Sequence, residues 1–163
     1  MKLSALKRHN MTETIAWIWA TWFGAGCSPK MPGTVGSFFS LPLALIGCFY
    51  GVHGILISCF ILFFIGWWAT GIVLRSQKEQ DPGFVVIDET VGQTITFILV
   101  ASTELSLGLV LCGFIFFRLF DIIKIWPASY FDRSVHNAFG VMMDDVIAGI
   151  YAALSLYGIS FLI

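Results

Sequence analysis

The sequence predicts an all-α membrane protein: a compact bundle of about four to five membrane helices plus one interfacial helix at the N-terminus. Three features of the composition predict this class: 58% of the 163 residues are hydrophobic, 16% are aromatic and only 12% are charged. A soluble domain carries about twice that share of charge and could not bury so much apolar surface. The length favours one membrane-embedded domain, which we place across residues 1–163.

The predicted elements follow from the apolar runs. Residues 15–23 contain three tryptophans and are too short to cross a bilayer, which is typical of an interfacial helix. Five longer runs follow, separated by Gly, Ser, Pro or charged residues. Two of them are shorter than the ~20 residues of a full span, so tilted or partial spans are expected there. The runs cover residues 37–50, 55–74, 90–101, 107–120 and 146–163.

Basic residues orient the predicted bundle. With the N-terminus inside, five spans return the chain inside at 75–88 and at 121–145, and every Lys and Arg then falls on the cytoplasmic side. The same topology places every acid except Glu104 on that side. We therefore expect a multi-pass protein with a functional site at its cytoplasmic face. The net charge of -1 gives no basic field for nucleic acid, so a nucleic-acid partner is not expected.

Acidic residues mark the predicted site. Ionisable groups at membrane helix ends are costly unless they are paired or hydrated, so they indicate function. A structural alternative makes Asp88 and Asp144 helix N-caps and pairs Arg118 with Asp121 at (i, i+3). Capping leaves the neighbouring acids Glu89 and Asp145 unexplained. Six of the ten acids form three clusters: Asp88 with Glu89, Asp121 with Asp132, and Asp144 with Asp145.

The chemistry of these clusters predicts a magnesium site. Several carboxylates with no His or Cys partner offer only hard oxygen ligands, which suit Mg²⁺ better than zinc or copper. The three histidines and four cysteines lack the spacing of a metal site. His136 lies near the acids in sequence and offers a proton shuttle, although a loop histidine is more often simply exposed.

Basic residues near these acids predict a phosphate-binding patch. At about 100° per residue, Arg118, Asp121 and Lys124 fall within a third of one helix circumference. With Arg133 nearby in sequence, these cations can neutralise phosphate oxygens. The alternative is a positive-inside anchor, which accounts for Lys124 better than for the deeper Arg118.

A glycine-rich segment at residues 24–37 precedes the first long apolar run. Its backbone N–H groups, together with Lys30, Thr34 and Ser37, can cradle an anion at a helix N-terminus. The alternative is a plain turn between the interfacial helix and the first span. Further along the chain, Gly92 and Gly149 stand near acids, where small residues permit close helix approach.

Five ordered motifs resemble the phosphatidylglycerophosphatase A family. The resemblance implies a bacterial inner-membrane, magnesium-dependent lipid phosphatase with its active site on the cytoplasmic side. It also implies the reaction, which removes the terminal phosphate of phosphatidylglycerophosphate to give phosphatidylglycerol. The motifs are Gly24–Ser37, Asp88–Gly92, Phe117–Asp121, Phe131–Arg133 and Met143–Gly149.

The resemblance matches nine polar positions without telling which of them bind metal: Asp88, Glu89, Arg118, Asp121, Lys124, Asp132, Arg133, Asp144 and Asp145. For catalysis we assign Arg118, Asp121, Asp144 and Asp145. For the metal we assign Asp88, Glu89 and Asp145. For the substrate phosphate we assign Lys30, Thr34, Ser37, Lys124 and Arg133.

Two other functions compete with this assignment. A small cation or magnesium transporter also places acids near helix ends, but it typically has mid-membrane acids or repeats, which this sequence lacks. A membrane enzyme acting on another phosphate lipid is the second alternative. The sequence leaves open the oligomeric state, and it leaves open whether water or an Asp attacks the phosphorus.

Overall fold

The computed structural model describes residues 10–77 and 82–162, and every regular element in these stretches is helical. This confirms the predicted all-α class. The N-terminal basic residues and the middle of the predicted inside segment 75–88 lie outside the described residues. The α-helices are α1 Met11–Ala20, α2 Pro32–Phe49, α3 Gly51–Gln77, α4 Ile87–Ile95, α5 Leu107–Ile123, α6 Ala128–Ser134 and α7 Ala138–Ile159. Two short 3-10 turns lie at Ala25–Cys27 and Ile98–Val100.

Three of the described helices, α2, α3 and α7, are long and apolar enough to cross a membrane. The 17-residue α5 follows them closely in length. These four helices correspond to four of the five predicted runs. Helix α7 begins eight residues before its run because the Asn137 side chain caps it, accepting hydrogen bonds from the backbone N–H groups of Phe139 and Gly140.

The remaining predicted run, residues 90–101, does not form a continuous membrane helix. It folds as the nine-residue α4 followed by a 3-10 turn, and α4 packs against α2, α3 and α7. The hydroxyls of Thr90, Thr94 and Thr96 each donate to the carbonyl four residues earlier, at 3.1, 2.7 and 3.0 Å. Such bonds bend helices and satisfy polar side chains without solvent. Helix α4 is therefore a short helix buried inside the bundle.

Helix α1 lies at the position of the predicted interfacial helix but begins four residues earlier. Asn10 and Glu13 form a capping box that starts the helix at Met11. The helix packs on α3 through the buried Ala16 and Ala20. Its location at a membrane interface stays a prediction.

The bundle has two distinct ends. At one end, the turn at Gly51 lies beside the loop after α4, and a Cβ at Gly51 would be 3.9 Å from Ser102 Oγ. At the other end, the last turns of α3 approach the start of α7, where a Cβ at Gly71 would be 3.7 Å from the Ala138 Cβ. The start of α4 and the end of α5 lie at this second end. The described helices therefore bring the predicted acidic clusters together.

Candidate active site

Six acidic side chains from four helices line one cavity of about 120 Å³ at the second end of the bundle. Helix α4 provides Asp88 and Glu89 from its first turn, and α5 provides Asp121 from its last turn. The structure thus joins all three acidic clusters that the sequence predicts. The remaining acids of the cavity are Asp132 of α6 and the pair Asp144 and Asp145 of α7.

Three of these acids form a compact oxygen cluster. One ligand oxygen each from Asp88, Glu89 and Asp145 lies within 4.8 Å of the other two. Glu89 Oε2 is buried and receives no hydrogen bond from the described residues. A buried carboxylate oxygen in that state is stabilised by a cation or a proton. The donor set and the unsatisfied oxygen therefore fit a hard divalent cation such as magnesium.

Glycine at the start of α2 makes room for Glu89. A Cβ at Gly33 would lie 2.1 Å from Glu89 Oε1 and 3.2 Å from Arg118 Nη1. One turn later, a Cβ at Gly36 would lie 2.7 Å from the Cβ of Val86. These two glycines of the 24–37 segment let α2 pack closely on the acidic end of α4, a role that their sequence pattern does not indicate.

Arg118 lies between three helices. Its Nη1 atom forms an ion pair with Asp121 Oδ2 at 2.6 Å and donates a hydrogen bond to Ser37 Oγ at 3.2 Å. The same atom lies 3.9 Å from Glu89 Oε1. The (i, i+3) ion pair with Asp121 is therefore confirmed. The contacts with α2 and α4 go beyond that pair, so Arg118 brings positive charge to the edge of the oxygen cluster.

Lys124 forms a second ionic cluster with two acids that line the cavity. It follows the last residue of α5 in a left-handed conformation, with φ of 49°. Its Nζ lies 2.6 Å from Asp132 Oδ1 and 2.5 Å from Asp144 Oδ2. Burial lowers the pKa of an ammonium group, but the carboxylates of Asp144 and Asp132 outweigh burial and raise the pKa of Lys124 above its ordinary value.

The predicted single patch of Arg118, Asp121 and Lys124 is therefore wrong in its geometry. Helix α5 ends at Ile123, and the left-handed residue that follows points its side chain at α6 and α7. The three charges therefore belong to two clusters, one around each cation: Asp121 and Lys124 line the acidic cavity, and Arg118 contacts Asp121 and Glu89 beside it.

The capping alternative for the acids is also wrong. The N-cap of α4 is Val86, and Asp88 lies inside the first turn. The N-cap of α7 is Asn137, and Asp144 lies well inside the helix. The acids at these two helices therefore do not serve as N-caps.

The other predicted phosphate ligands take different positions. Ser37 is buried in the Arg118 cluster and donates to the Gly33 carbonyl at 2.8 Å. Thr34 is half-buried, whereas Lys30 and Arg133 are exposed. These last three do not line the acidic cavity. Their contact with a phosphate stays a prediction.

Several residues that line the cavity were missed or ranked low from the sequence. His136 is exposed, as its loop position favoured, and it also lines the cavity with Lys124 and the acids. Phe131, Val135 and Val141 complete one apolar side. Apolar residues in an apolar chain carry no sequence signal that separates cavity walls from lipid-facing surface.

Comparisons with known proteins agree with the motif resemblance. The family model described as Phosphatidylglycerophosphatase A matches residues 18–160. The protein named Phosphatidylglycerophosphatase A of Escherichia coli is 34% identical over 156 residues, which cover 94% of this chain and 86% of that protein. The protein of the same name from Haemophilus influenzae is 36% identical over 143 residues, 87% of this chain and 86% of that protein.

A third relative has a different name. A Bacteroides thetaiotaomicron protein, named provisionally as a phosphatidylinositol-3-phosphatase, is 36% identical over 140 residues, 81% of this chain and 85% of that protein. No solved structure matches the chain.

Proposed function

Because this chain belongs to the phosphatidylglycerophosphatase A family, we propose that it hydrolyses the terminal phosphate monoester of phosphatidylglycerophosphate. The products are phosphatidylglycerol and inorganic phosphate. The observation that supports this function best is the acidic cavity itself, where three closely spaced carboxylates lie near two half-buried cations, Arg118 and Lys124. Phosphate-monoester hydrolysis requires neutralisation of the phosphoryl oxygens, and this arrangement offers the charges for it.

We propose that Asp88, Glu89 and Asp145 hold magnesium. Their oxygens lie within 4.8 Å of one another, and Glu89 Oε2 has no hydrogen-bond donor among the described residues. A bound magnesium ion supplies positive charge that neutralises the phosphoryl oxygens. The three carboxylates come from two helices, so the packing of α4 on α7 sets the geometry of the group.

The two cations hold the phosphate in this proposal. Arg118 is fixed by Asp121 and Ser37, so its guanidinium is oriented before substrate binds. Lys124 is fixed in the same way by Asp132 and Asp144. Asp121 and Asp144 thus orient a cation each, and both also line the cavity in which the phosphate is hydrolysed.

Two routes of attack on phosphorus fit the acidic cavity. In one, a cavity carboxylate takes the proton of an attacking water, and the glycerol oxygen leaves with a proton from a second acid or His136. In the other, an Asp carboxylate attacks phosphorus, and the P–O bond to glycerol breaks as that oxygen takes a proton from a second acid or His136. Water then hydrolyses the aspartyl phosphate to the free carboxylate and inorganic phosphate. Mass spectrometry of acid-quenched enzyme during turnover distinguishes them, because only the second route adds a phosphoryl group to an Asp.

The proposed location is the bacterial inner membrane, with the cavity facing the cytoplasm. The three long apolar helices support a membrane protein. The described Arg and Lys side chains at the cavity end support a cytoplasmic orientation through the positive-inside rule. The lipid headgroup then reaches the cavity from the inner leaflet while its acyl chains stay in the membrane.

A phosphate-release assay tests this function. Purified protein in detergent micelles is given phosphatidylglycerophosphate, phosphatidic acid or phosphatidylinositol 3-phosphate, each with magnesium and with excess chelator. We expect phosphate release from phosphatidylglycerophosphate at the highest kcat/KM, loss of release in chelator and recovery when magnesium is returned. Preference for another lipid would overturn the substrate, and full turnover in chelator would overturn the metal. Release from none of the three would favour the transporter alternative.

A further inference from the structure

An apolar groove of about 700 Å³ runs along the surface of α2 beside the turn that follows α1. Four of its lining residues, Val35, Phe39, Leu43 and Ile46, are spaced by four, four and three residues and so share one face of the helix. They extend over about 16 Å of helix axis, at 1.5 Å per residue. The groove therefore starts near the cavity end of the bundle and runs along α2 towards the opposite end.

The opposite wall of the groove is built by an unusual turn. Trp22, Phe23 and Gly24 follow one another with φ of 45°, 55° and 95°. Two successive non-glycine residues in the left-handed region are uncommon and cost free energy. The turn is held by the Gly24 N–H, which donates to Thr21 Oγ1 at 3.1 Å, and it places both aromatic residues on the groove.

A smaller pocket of about 380 Å³ borders both this groove and the acidic cavity. It shares Cys27 and Ser28 with the groove and Gly83 with the cavity. The two loops that form it are pressed together, since a Cβ at Gly26 would lie 2.0 Å from the Phe84 carbonyl oxygen. The shared lining residues thus place the acidic cavity, the small pocket and the apolar groove next to one another, in that order.

We infer that the groove binds an acyl chain of the glycerophospholipid substrate, with the glycerol backbone over the small pocket and the phosphate in the acidic cavity. This inference rests on the proposed function. The order of surfaces matches the order of groups in the lipid: charged headgroup, glycerol ester and hydrocarbon. The volume of the groove lies within the range of about 300–1,000 Å³ that small-molecule sites occupy.

Chain length should therefore matter at the far end of the groove. Ile46 lines that end and is 58% exposed, while Ile57 of α3 is 60% exposed and lies outside the groove. An indole ring at position 46 competes with the distal part of a long chain for the same space. A short chain does not extend to this position, so its binding should not change.

The first experiment compares Ile46→Trp with the matched control Ile57→Trp on dipalmitoyl and dihexanoyl phosphatidylglycerophosphate. We expect Ile46→Trp to raise KM for the dipalmitoyl substrate about tenfold, the effect of an overpacked site, with kcat unchanged. KM for the dihexanoyl substrate should stay at the wild-type value, and Ile57→Trp should change neither. Equal changes for both chain lengths, or equal changes for both variants, would overturn the inference.

The second experiment measures binding without turnover. Cys27 is exposed and lies where the groove meets the small pocket, so its alkylation by N-ethylmaleimide reports whether that point is covered. Peptide mass spectrometry follows Cys27 in micelles that contain dipalmitoyl phosphatidylglycerol or, at the same mole fraction, dipalmitoyl phosphatidylcholine. We expect severalfold slower alkylation with phosphatidylglycerol alone. Equal protection by both lipids would mean that bulk lipid fills the groove and would overturn the inference.

The two experiments separate failure of the inference from failure of the proposed function. If wild-type protein releases no phosphate from either chain length, the proposed function fails. If it releases phosphate but Ile46→Trp behaves like Ile57→Trp, the function stands and the acyl site is wrong.

Discussion

Gly149 of α7 lies directly against the backbone of Gly92 in α4. A Cβ at Gly149 would be 2.5 Å from the Gly92 carbonyl oxygen, and a Cβ at Gly92 would be 2.5 Å from the Asp145 carbonyl oxygen. The two glycines therefore let the helices touch one turn away from the carboxylates that they carry. The distance between Asp145 and the acids of α4 depends on this contact.

The first prediction concerns Gly149→Ala. The added methyl group meets backbone rather than a movable side chain, so α4 and α7 must separate, and the free energy of unfolding should fall by about 1–3 kcal/mol. The matched control is Gly158→Ala on the same helix, where a Cβ meets nothing within 4 Å. Thermal unfolding in detergent measures both. A wild-type Tm for Gly149→Ala would contradict the tight contact.

Gly33→Ala should act differently, because its Cβ meets the movable end of a side chain. Glu89 Oε1 would lie 2.1 Å away and must shift, which changes the oxygen cluster more than the fold. We expect Tm near the wild-type value and a rise of about tenfold or more in the magnesium concentration for half-maximal activity. Gly108→Ala is the control, since the added Cβ would lie an ordinary 3.6 Å from Ser106 Oγ. An unchanged magnesium dependence in Gly33→Ala would contradict the assignment of Glu89.

Much of this site follows from the sequence because charge is scarce in an apolar chain. The six acids stand out for that reason, and the bundle brings all of them to one cavity. The separation of Arg118 and Lys124 into two ionic clusters cannot be predicted from the sequence. Helical spacing does not show that α5 ends at Ile123 or that the next residue has a left-handed conformation. The place of Gly33 does not follow either, since a glycine in the sequence gives no sign of which side chain fills the space it leaves.

Parts of the fold also could not be predicted from the sequence. Hydropathy alone predicts a span at residues 90–101, as it does for the longer runs. Hydropathy does not register that three threonine hydroxyls bond to their own helix and that neighbouring helices enclose α4. Likewise, the start of α7 depends on the cap at Asn137, which lies well before the apolar run begins.

Lys124→Gly separates the role of the ammonium group from that of the backbone. Glycine accepts a φ of 49° without strain, so the variant loses the side chain with its cation between Asp132 and Asp144 but gains no backbone strain. We expect a loss of about 1–2 kcal/mol in stability, discounted because a quarter of the Lys124 side chain is exposed. Lys124→Arg keeps the positive charge and should retain most of the wild-type stability. Chemical denaturation of both variants checks this, and equal losses would contradict the role of the charge.

The stability that the Lys124 side chain provides should depend on pH through its raised pKa. Burial lowers this pKa, but the neighbouring carboxylates raise it by more. A raised folded-state pKa gives stability that is complete below the unfolded-state pKa and is lost only as pH rises through the folded-state value. The stability gap between wild type and Lys124→Gly should therefore stay constant from about pH 7.5 to about pH 9. A gap that shrinks within this interval would contradict the raised pKa.

Membrane orientation is tested by cysteines at the two ends of the bundle. Ser102 and Ser134 are both exposed and lie in the loop after α4 and in α6, respectively. An impermeant maleimide should label Ser102→Cys in intact cells and should label Ser134→Cys only after permeabilisation. The reverse pattern would place the acidic cavity outside.

The most direct test of the proposed metal-dependent active site is the rate of phosphate release by Asp145→Asn. This change removes one charge from the oxygen cluster while keeping the size of the side chain. Glu104→Gln, in the exposed loop before α5, is the matched control. With both variants purified at wild-type yield and Tm, we predict that Asp145→Asn releases phosphate from phosphatidylglycerophosphate at least about a hundredfold more slowly. Glu104→Gln should keep the wild-type rate. Near-wild-type release by Asp145→Asn would contradict the account.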